Sequence, residues 1–358
     1  MTTKKTVKIL SFDGGGTRGY LQCKFLQRFC QQAGITDLSK EFDVFAGSSV
    51  GAINAVAFAS GMTPEMMMQF FREKTPWIFT IRGAGDLLSN NASSPSNKPN
   101  LIQKAGMFFT KDPWYKATST ESNYGNALLK SEIFNIFGDR TLETLVPHIL
   151  ITANNYSHKK PISFINNDYI ADKNHISNVK IVDALIASSS APFYLPKYAM
   201  HLSPDPEAPD DLLEDGGLFA NNPTGLAYDM AKRLYPGAKR YCILSLSTGT
   251  GTISEKGNEE YSQEVNNFLH VLRILNTMIS NSEIVVHQRF VTLSECQDDN
   301  VFYYRFKSKL DPNKDTELDT STPEFFDYLD EAVITKYNNS INEISLFIDR
   351  LFDDNGQQ

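Results

Sequence analysis

Two short apolar runs lie near the start of the chain, each followed by a glycine-rich turn and a stretch of helical spacing. Val7 to Phe12 reads as a strand, a glycine loop follows, and Tyr20 to Ala33 repeats apolar residues at three- and four-residue steps. Phe42 to Ala46 is a second strand, Gly47 to Gly51 a turn, and Ala52 to Ser60 a helix of small residues suited to close packing on a sheet. Two consecutive strand-loop-helix units predict a parallel sheet covered by helices.

Thr63, Pro64 and Glu65 form a helix-start signal. They place Glu65 to Lys74 on a helix whose Met66, Met67, Met68, Phe70 and Phe71 read as a core-facing stripe. From Arg82 to Tyr124 the pattern loses its period and turns rich in Ser, Asn, Pro, Gly and Lys, the signature of a long functional loop, here expected to be a lid. Regularity returns with strands at His148 to Ala153 and Pro161 to Ile165, a helix at Ile181 to Ser188, and a strand at Tyr241 to Leu246. Beyond Glu264 the pattern is mostly helical. The strand-like Val301 to Phe306 interrupts it, and one last helix is expected from about Thr322 to Phe352.

Composition narrows the class. At 358 residues, 41% hydrophobic and 21% charged, the chain can bury a large core. A net charge of −8 argues against a nucleic-acid partner. A short basic run such as Lys159-Lys160 could favour lipid headgroups but reads first as solvated loop charge. Cys23, Cys30, Cys242 and Cys296 are far apart with no CxxC pair, so neither zinc nor a disulfide framework is expected. No signal-peptide pattern opens the chain and no apolar run reaches membrane-spanning length. The expected location is therefore cytoplasmic, with signal-independent secretion left open.

Three motifs carry chemistry. Gly47-Ser48-Ser49-Val50-Gly51 has the GxSxG form between a strand and a small-residue helix, the setting of a nucleophile elbow with Ser49 at its tip. Ser48 offers a second hydroxyl one residue away. Asp13-Gly14-Gly15-Gly16-Thr17-Arg18-Gly19 also joins a strand to a helix, and three successive glycines can present backbone N–H groups to a phosphate or an oxyanion. Asp215-Gly216-Gly217 follows a polar Pro- and Asp-rich loop and is, taken alone, as readily a surface turn. A serine nucleophile needs a base. None of His148, His158, His175, His201, His270 and His287 lies in a catalytic-looking context. Asp215 with His270 or His287 could formally complete a triad, and a carboxylate contacting the serine directly is the alternative.

In this order the three motifs resemble those of the patatin-like phospholipase family. The segments Asp183 to Pro192, Leu218 to Pro223 and Leu244 to Thr250 are similar to the family's connecting segments, so the resemblance covers roughly residues 7 to 250. It implies a three-layer α/β/α fold with a mostly parallel central sheet, a catalytic domain over 7–250, and a mostly helical extension over 251–358 packed on that core. It further implies a catalytic pair of Ser49 and Asp215. An oxyanion hole would form from Gly14, Gly15, Gly16 and Arg18, the elbow from Gly47, Val50 and Gly51, and the aspartate motif from Gly216 and Gly217. The implied activity is calcium-independent hydrolysis of lipid acyl esters through an acyl-enzyme, peripheral at membranes and without cofactor or metal. Phospholipid or another acyl lipid would be the substrate, and an activator, host protein or small signalling nucleotide, stays open. Two rival readings are weighed beside it. One is a catalytically idle patatin-like binding or signalling module. The other is an actin-like ATPase or sugar kinase, because Asp13 to Thr17 also resembles a phosphate loop, although that fold expects a β-hairpin after the loop.

Overall fold

The structure, a computed structural model, describes residues 4–79, 126–167, 175–192, 194–249, 263–296, 300–311 and 313–353, with backbone alone for 263–276. The lid expected over 82–124 lies outside the described residues. Nine strands form one sheet: β1 (Thr6–Phe12), β2 (Val44–Ser48), β3 (His148–Asn155), β4 (Lys160–Ile165), β5 (His175–Ile176), β6 (Tyr198–Met200), β7 (Asp211–Asp215), β8 (Arg240–Leu246) and β9 (Val301–Phe306). Its main order is β5-β4-β3-β2-β1-β8-β9, parallel from β3 to β9, with β4 antiparallel to β3.

Alternation along the strands divides the core. Leu10, Phe12, Phe45, Ile151, Leu244 and Phe306 face one side. There they pack on helices α1 (Tyr20–Ala33), α2 (Val50–Ala59) and α3 (Pro64–Ile78), and on α4 (Asn126–Phe137) and α5 (Ile181–Ser189). Val7, Ile9, Val44, Leu150 and Ile243 face the other, against α6 (Thr224–Leu234) and Phe290 of α7 (Gln263–Glu295). With both faces covered, β2 is buried at every residue, the mark of a central strand in a parallel sheet. The layers are thus α/β/α, as the strand-loop-helix pattern predicts.

Local signals hold where they were strong. Thr63 caps α3 by accepting the Met66 N–H at 3.3 Å, with Pro64 in the first turn. Of that helix's apolar stripe, Met67 and Phe71 are buried while Met66 is exposed. The expected last helix instead divides into α8 (Pro323–Asn339) and α9 (Ile341–Phe352), separated by Ser340, whose N–H bonds back to Lys336 and Tyr337. The apolar period runs through the break. Only packing requires it, since α8 lies along α1 while α9 turns onto β9. Phe25 of α1 meets Phe306 of β9 and Tyr337 of α8 at ring separations of 4.5 and 5.5 Å, joining the two ends of the chain in one aromatic cluster. Among the described residues no helix is long and apolar enough to cross a membrane.

Candidate active site

The strand β2 stops at Ser48, and Ser49 turns the chain with φ 54° and ψ −128° before α2 begins at Val50. Such a backbone costs on the order of 1–3 kcal/mol and persists only where its surroundings impose it. Those surroundings are tight: a Cβ on Gly47 would stand 2.2 Å from the Gly51 carbonyl oxygen, and one on Gly51 would stand 2.4 Å from that of Phe12. The two serines have different fates. Ser48 is fully buried, and its hydroxyl has no hydrogen-bond partner among the described residues, whereas Ser49 is partly exposed. The Ser49 N–H donates to Ser188 Oγ at 2.9 Å, which fixes the turn from the C-terminal end of α5.

Asp215 arrives from the opposite direction. It ends β7, which is antiparallel to β3, and it pairs with Ala153, the residue after the one that pairs with Ser48. Its Oδ1 accepts the Gly217 N–H at 2.7 Å, and the Gly216 N–H donates to the Ser188 carbonyl at 3.2 Å. Burial raises the Asp215 carboxyl to about 6, and the hydrogen bonds from Ser49 and Gly217 pull the other way.

The glycine loop closes the site from the β1 side. A Cβ on Gly14 would lie 3.2 Å from Ser49 Cβ, so loop and serine are in contact. The Gly14 carbonyl accepts Thr248 Oγ1 at 2.7 Å and Asn221 Nδ2 at 3.4 Å, and the Gly15 carbonyl accepts the Arg18 backbone N–H and Nε, each at 3.3 Å. No peptide is cis, so each anchored carbonyl turns the next N–H, that of Gly15 and then of Gly16, to the opposite side. Among the described residues neither N–H meets an acceptor. Gly16 itself has φ 59° and lies against the Leu318 carbonyl, 2.0 Å from where a Cβ would stand, so only glycine fits there. Burial lowers the Arg18 pKa while Glu283 and Tyr194 oppose that shift. A one-turn 3₁₀ helix and α1 follow the loop directly, leaving no room for the hairpin a sugar-kinase fold would place there.

Every residue singled out in the three motifs therefore meets in one place. Of the histidines, His158 pairs with Asp211, His201 with Asp210 and His287 with the Tyr303 hydroxyl, His148 stacks edge-on to Tyr235, and His175 lies in the edge strand β5. The His270 side chain is outside the described residues. Among the described residues no group of three or more His, Cys, Asp or Glu side chains is disposed to hold a metal ion. What motif reading passed over is the buttress. Gln22 Nε2 donates to the carbonyls of Asp13 and Leu246, each at 2.9 Å, and Asn54 orients Gln22 at 2.8 Å. Asn221, Ser188 and Thr248 fell inside matched segments but carried no signal of their own. A hydroxyl beside a buried carboxylate, next to two N–H groups that meet no acceptor among the described residues, is equipped for nucleophilic acyl transfer.

The chain is similar to known proteins. A family model described as patatin-like phospholipase matches residues 10–228. Calcium-independent phospholipase A2-gamma of Oryctolagus cuniculus is 28% identical over 262 residues, covering 72% of this chain and 30% of that protein. The cGAMP-activated phospholipase of Vibrio cholerae is 28% identical over 260 residues, covering 69% of this chain and 65% of that protein. Human GIVD cytosolic phospholipase A2, in complex with methyl gamma-linolenyl fluorophosphonate, superposes with a TM-score of 0.45 at 12% identity, covering 97% of this chain and 59% of that one. The chain spans less than two thirds of the length of each.

Proposed function

The chain belongs to the patatin-like phospholipase family, and from that premise we propose that it hydrolyses acyl esters of lipids, as a phospholipase A or lysophospholipase, with Ser49 as nucleophile and Asp215 as base. The observation that carries the reading is the sheet register that sets Ser49 beside a buried Asp215, whose carboxyl burial raises to about 6 while the Ser49 hydroxyl pulls the other way. A base of that strength is ionised at neutral pH yet basic enough to take a hydroxyl proton as the bond to carbon forms.

Ser49 Oγ attacks the ester carbonyl carbon while its proton passes to Asp215. The carbonyl oxygen gains the electron pair and is received by the N–H groups of Gly15 and Gly16, with Arg18 beside them adding positive charge. The oxyanion collapses and the C–O bond to the alcohol breaks, and the leaving oxygen takes the proton from Asp215. Water then attacks the acyl-enzyme, giving its proton to Asp215, and the second collapse returns that proton to Ser49 Oγ and frees the fatty acid. No step calls on a metal, in keeping with the calcium independence named for the rabbit relative. A lipid substrate would place the activity at a membrane surface.

The test is fatty-acid release from mixed phospholipid vesicles in EDTA, comparing wild type with Ser49→Ala and Asp215→Ala at equal foldedness. Release lost in both variants is expected. Release that survives either substitution, or a wild type that neither releases fatty acid nor reacts with a fluorophosphonate, overturns the assignment.

A further inference from the structure

The matched family region ends at residue 228, yet two charged side chains from beyond it reach the glycine loop or the asparagine that holds it. We propose that Glu283 of α7 is a positioning residue for the oxyanion hole, acting through Asn221, with Arg305 of β9 as its counter-charge; the inference rests on the hydrolase reading above.

Asn221 brackets Gly14. Its backbone carbonyl accepts the Gly14 N–H at 3.1 Å, and its side-chain Nδ2 donates both to the Gly14 carbonyl at 3.4 Å and to Glu283 Oε1 at 2.5 Å. An asparagine amide offers donors on one side and an acceptor on the other, and its orientation is decided by its neighbours. Glu283 supplies that decision: an ionised carboxylate only accepts, so it holds Nδ2 toward itself and keeps a donor facing the Gly14 carbonyl. Turned over, Asn221 Oδ1 would face two oxygens at once. The Gly14 carbonyl and the Gly15 N–H belong to one rigid peptide, so what orients the first aims the second. Glu283 thereby sets the direction of a donor that it never touches.

Arg305 keeps this carboxylate in a buried place. Its side chain is 1% exposed and stands 3.5 Å from Glu283 Oε2. The same guanidinium forms a two-pronged pair with Asp13, at 3.1 Å to Oδ1 and closer to Oδ2, and donates to Ser245 Oγ at 2.7 Å. Burial opposes the charge on Arg305, but Asp13, Tyr303 and Glu283 outweigh it and hold the proton on. Sheet register places it there: Ser11, Ser245 and Arg305 lie in one row across β1, β8 and β9. A buried carboxylate and guanidinium are expensive to keep without partners, and here each partner is part of the glycine loop or its support.

The experiment uses the whole protein with Glu283→Gln, Glu283→Asp and Glu283→Ala. Glutamine keeps an acceptor within reach of Asn221 and loses the charge; aspartate keeps the charge and loses the reach. Fluorophosphonate titration counts reactive sites, steady-state kinetics per titrated site give kcat and KM, and the Ki of an alkyl trifluoromethyl ketone, which adds to the serine as an oxyanion, reads the hole itself. In Glu283→Asp and Glu283→Ala, kcat per site should fall about tenfold to a hundredfold, as for a misaimed catalytic group, with KM changed less than about twofold and Ki raised in proportion. Glu283→Gln should recover most of the loss. If Glu283→Ala does not fold, the order of the other two decides. Glu283→Asp more active than Glu283→Gln, or a fall in kcat with Ki unmoved, overturns the proposal. A wild type that does not react with the fluorophosphonate sinks the hydrolase reading instead, and does so without any variant.

Discussion

Asp215 takes up the edge of β3 one residue beyond the point where Ser48 leaves it. Ser48 pairs with Thr152 in parallel, and Asp215 pairs with Ala153 in antiparallel. The other edge of β3 is occupied by β4 over the same residues, so β2 and β7 share one edge and meet end to end. Ser49 is the first residue past that meeting point. A hydroxyl and a carboxylate separated by more than 160 residues of chain are thus brought together by sheet register.

The pH dependence follows from Asp215. With its carboxylate as the proposed base and its carboxyl raised by burial to about 6, kcat/KM on a soluble short-chain ester should rise through a limb near that pH and level off above it. A flat profile across that range would exclude Asp215 as the base.

Asp215→Asn should abolish turnover and yet stabilise the fold in alkaline buffer. The folded pKa, about 6, lies above the ordinary 3.8. The wild-type group therefore contributes stability that is fully present below 3.8 and lost as pH rises through 6. Asparagine, always neutral, escapes that loss, by at most about 3 kcal/mol well above pH 6. Denaturant midpoints at pH 5 and pH 8 check it: the variant's advantage should grow between them.

Ser48→Ala and Ser49→Ala should separate cleanly. The Ser48 hydroxyl is buried without a partner among the described residues, and removing it should leave activity near wild type and stability unchanged or improved by about 1 kcal/mol. Ser49→Ala should lose turnover and fluorophosphonate labelling. Peptide mapping of the labelled enzyme tests the same assignment directly.

Ser49→Gly should be the more stable of two inactive variants. At φ 54° and ψ −128° alanine remains strained and glycine does not, a difference on the order of 1 kcal/mol. Thermal midpoints of Ser49→Gly and Ser49→Ala at one pH measure it; equal midpoints would mean that the elbow stores no strain.

Gly16→Ala should damage catalysis out of proportion to its size. With φ 59° and the Leu318 carbonyl 2.0 Å from the added carbon, the loop must move. Displacing an oxyanion donor costs on the order of 2.7–4 kcal/mol in the barrier. Second-order labelling rates with a fluorophosphonate should fall accordingly while the core, probed by far-ultraviolet circular dichroism, persists.

By itself the sequence determined the parts whose cause is local. Alternation and helical spacing announced β1, α1, β2 and α2. GSSVG and DGGG declared tight glycine-flanked turns, and Thr63 announced a helix start that its side chain indeed caps. The three motifs marked the residues that now meet. The tertiary structure decided what no short window contains. Asp215 in an acidic turn was indistinguishable from a surface loop until β7 paired with β3. The break at Ser340 lies inside an unbroken apolar period because it answers to α1 and β9. Glu283 and Arg305 carry no motif, one on a long helix and one on an edge strand. Their roles arise because burial leaves a charged group only the partners that the fold brings within hydrogen-bond reach, and those partners come from the far end of the chain.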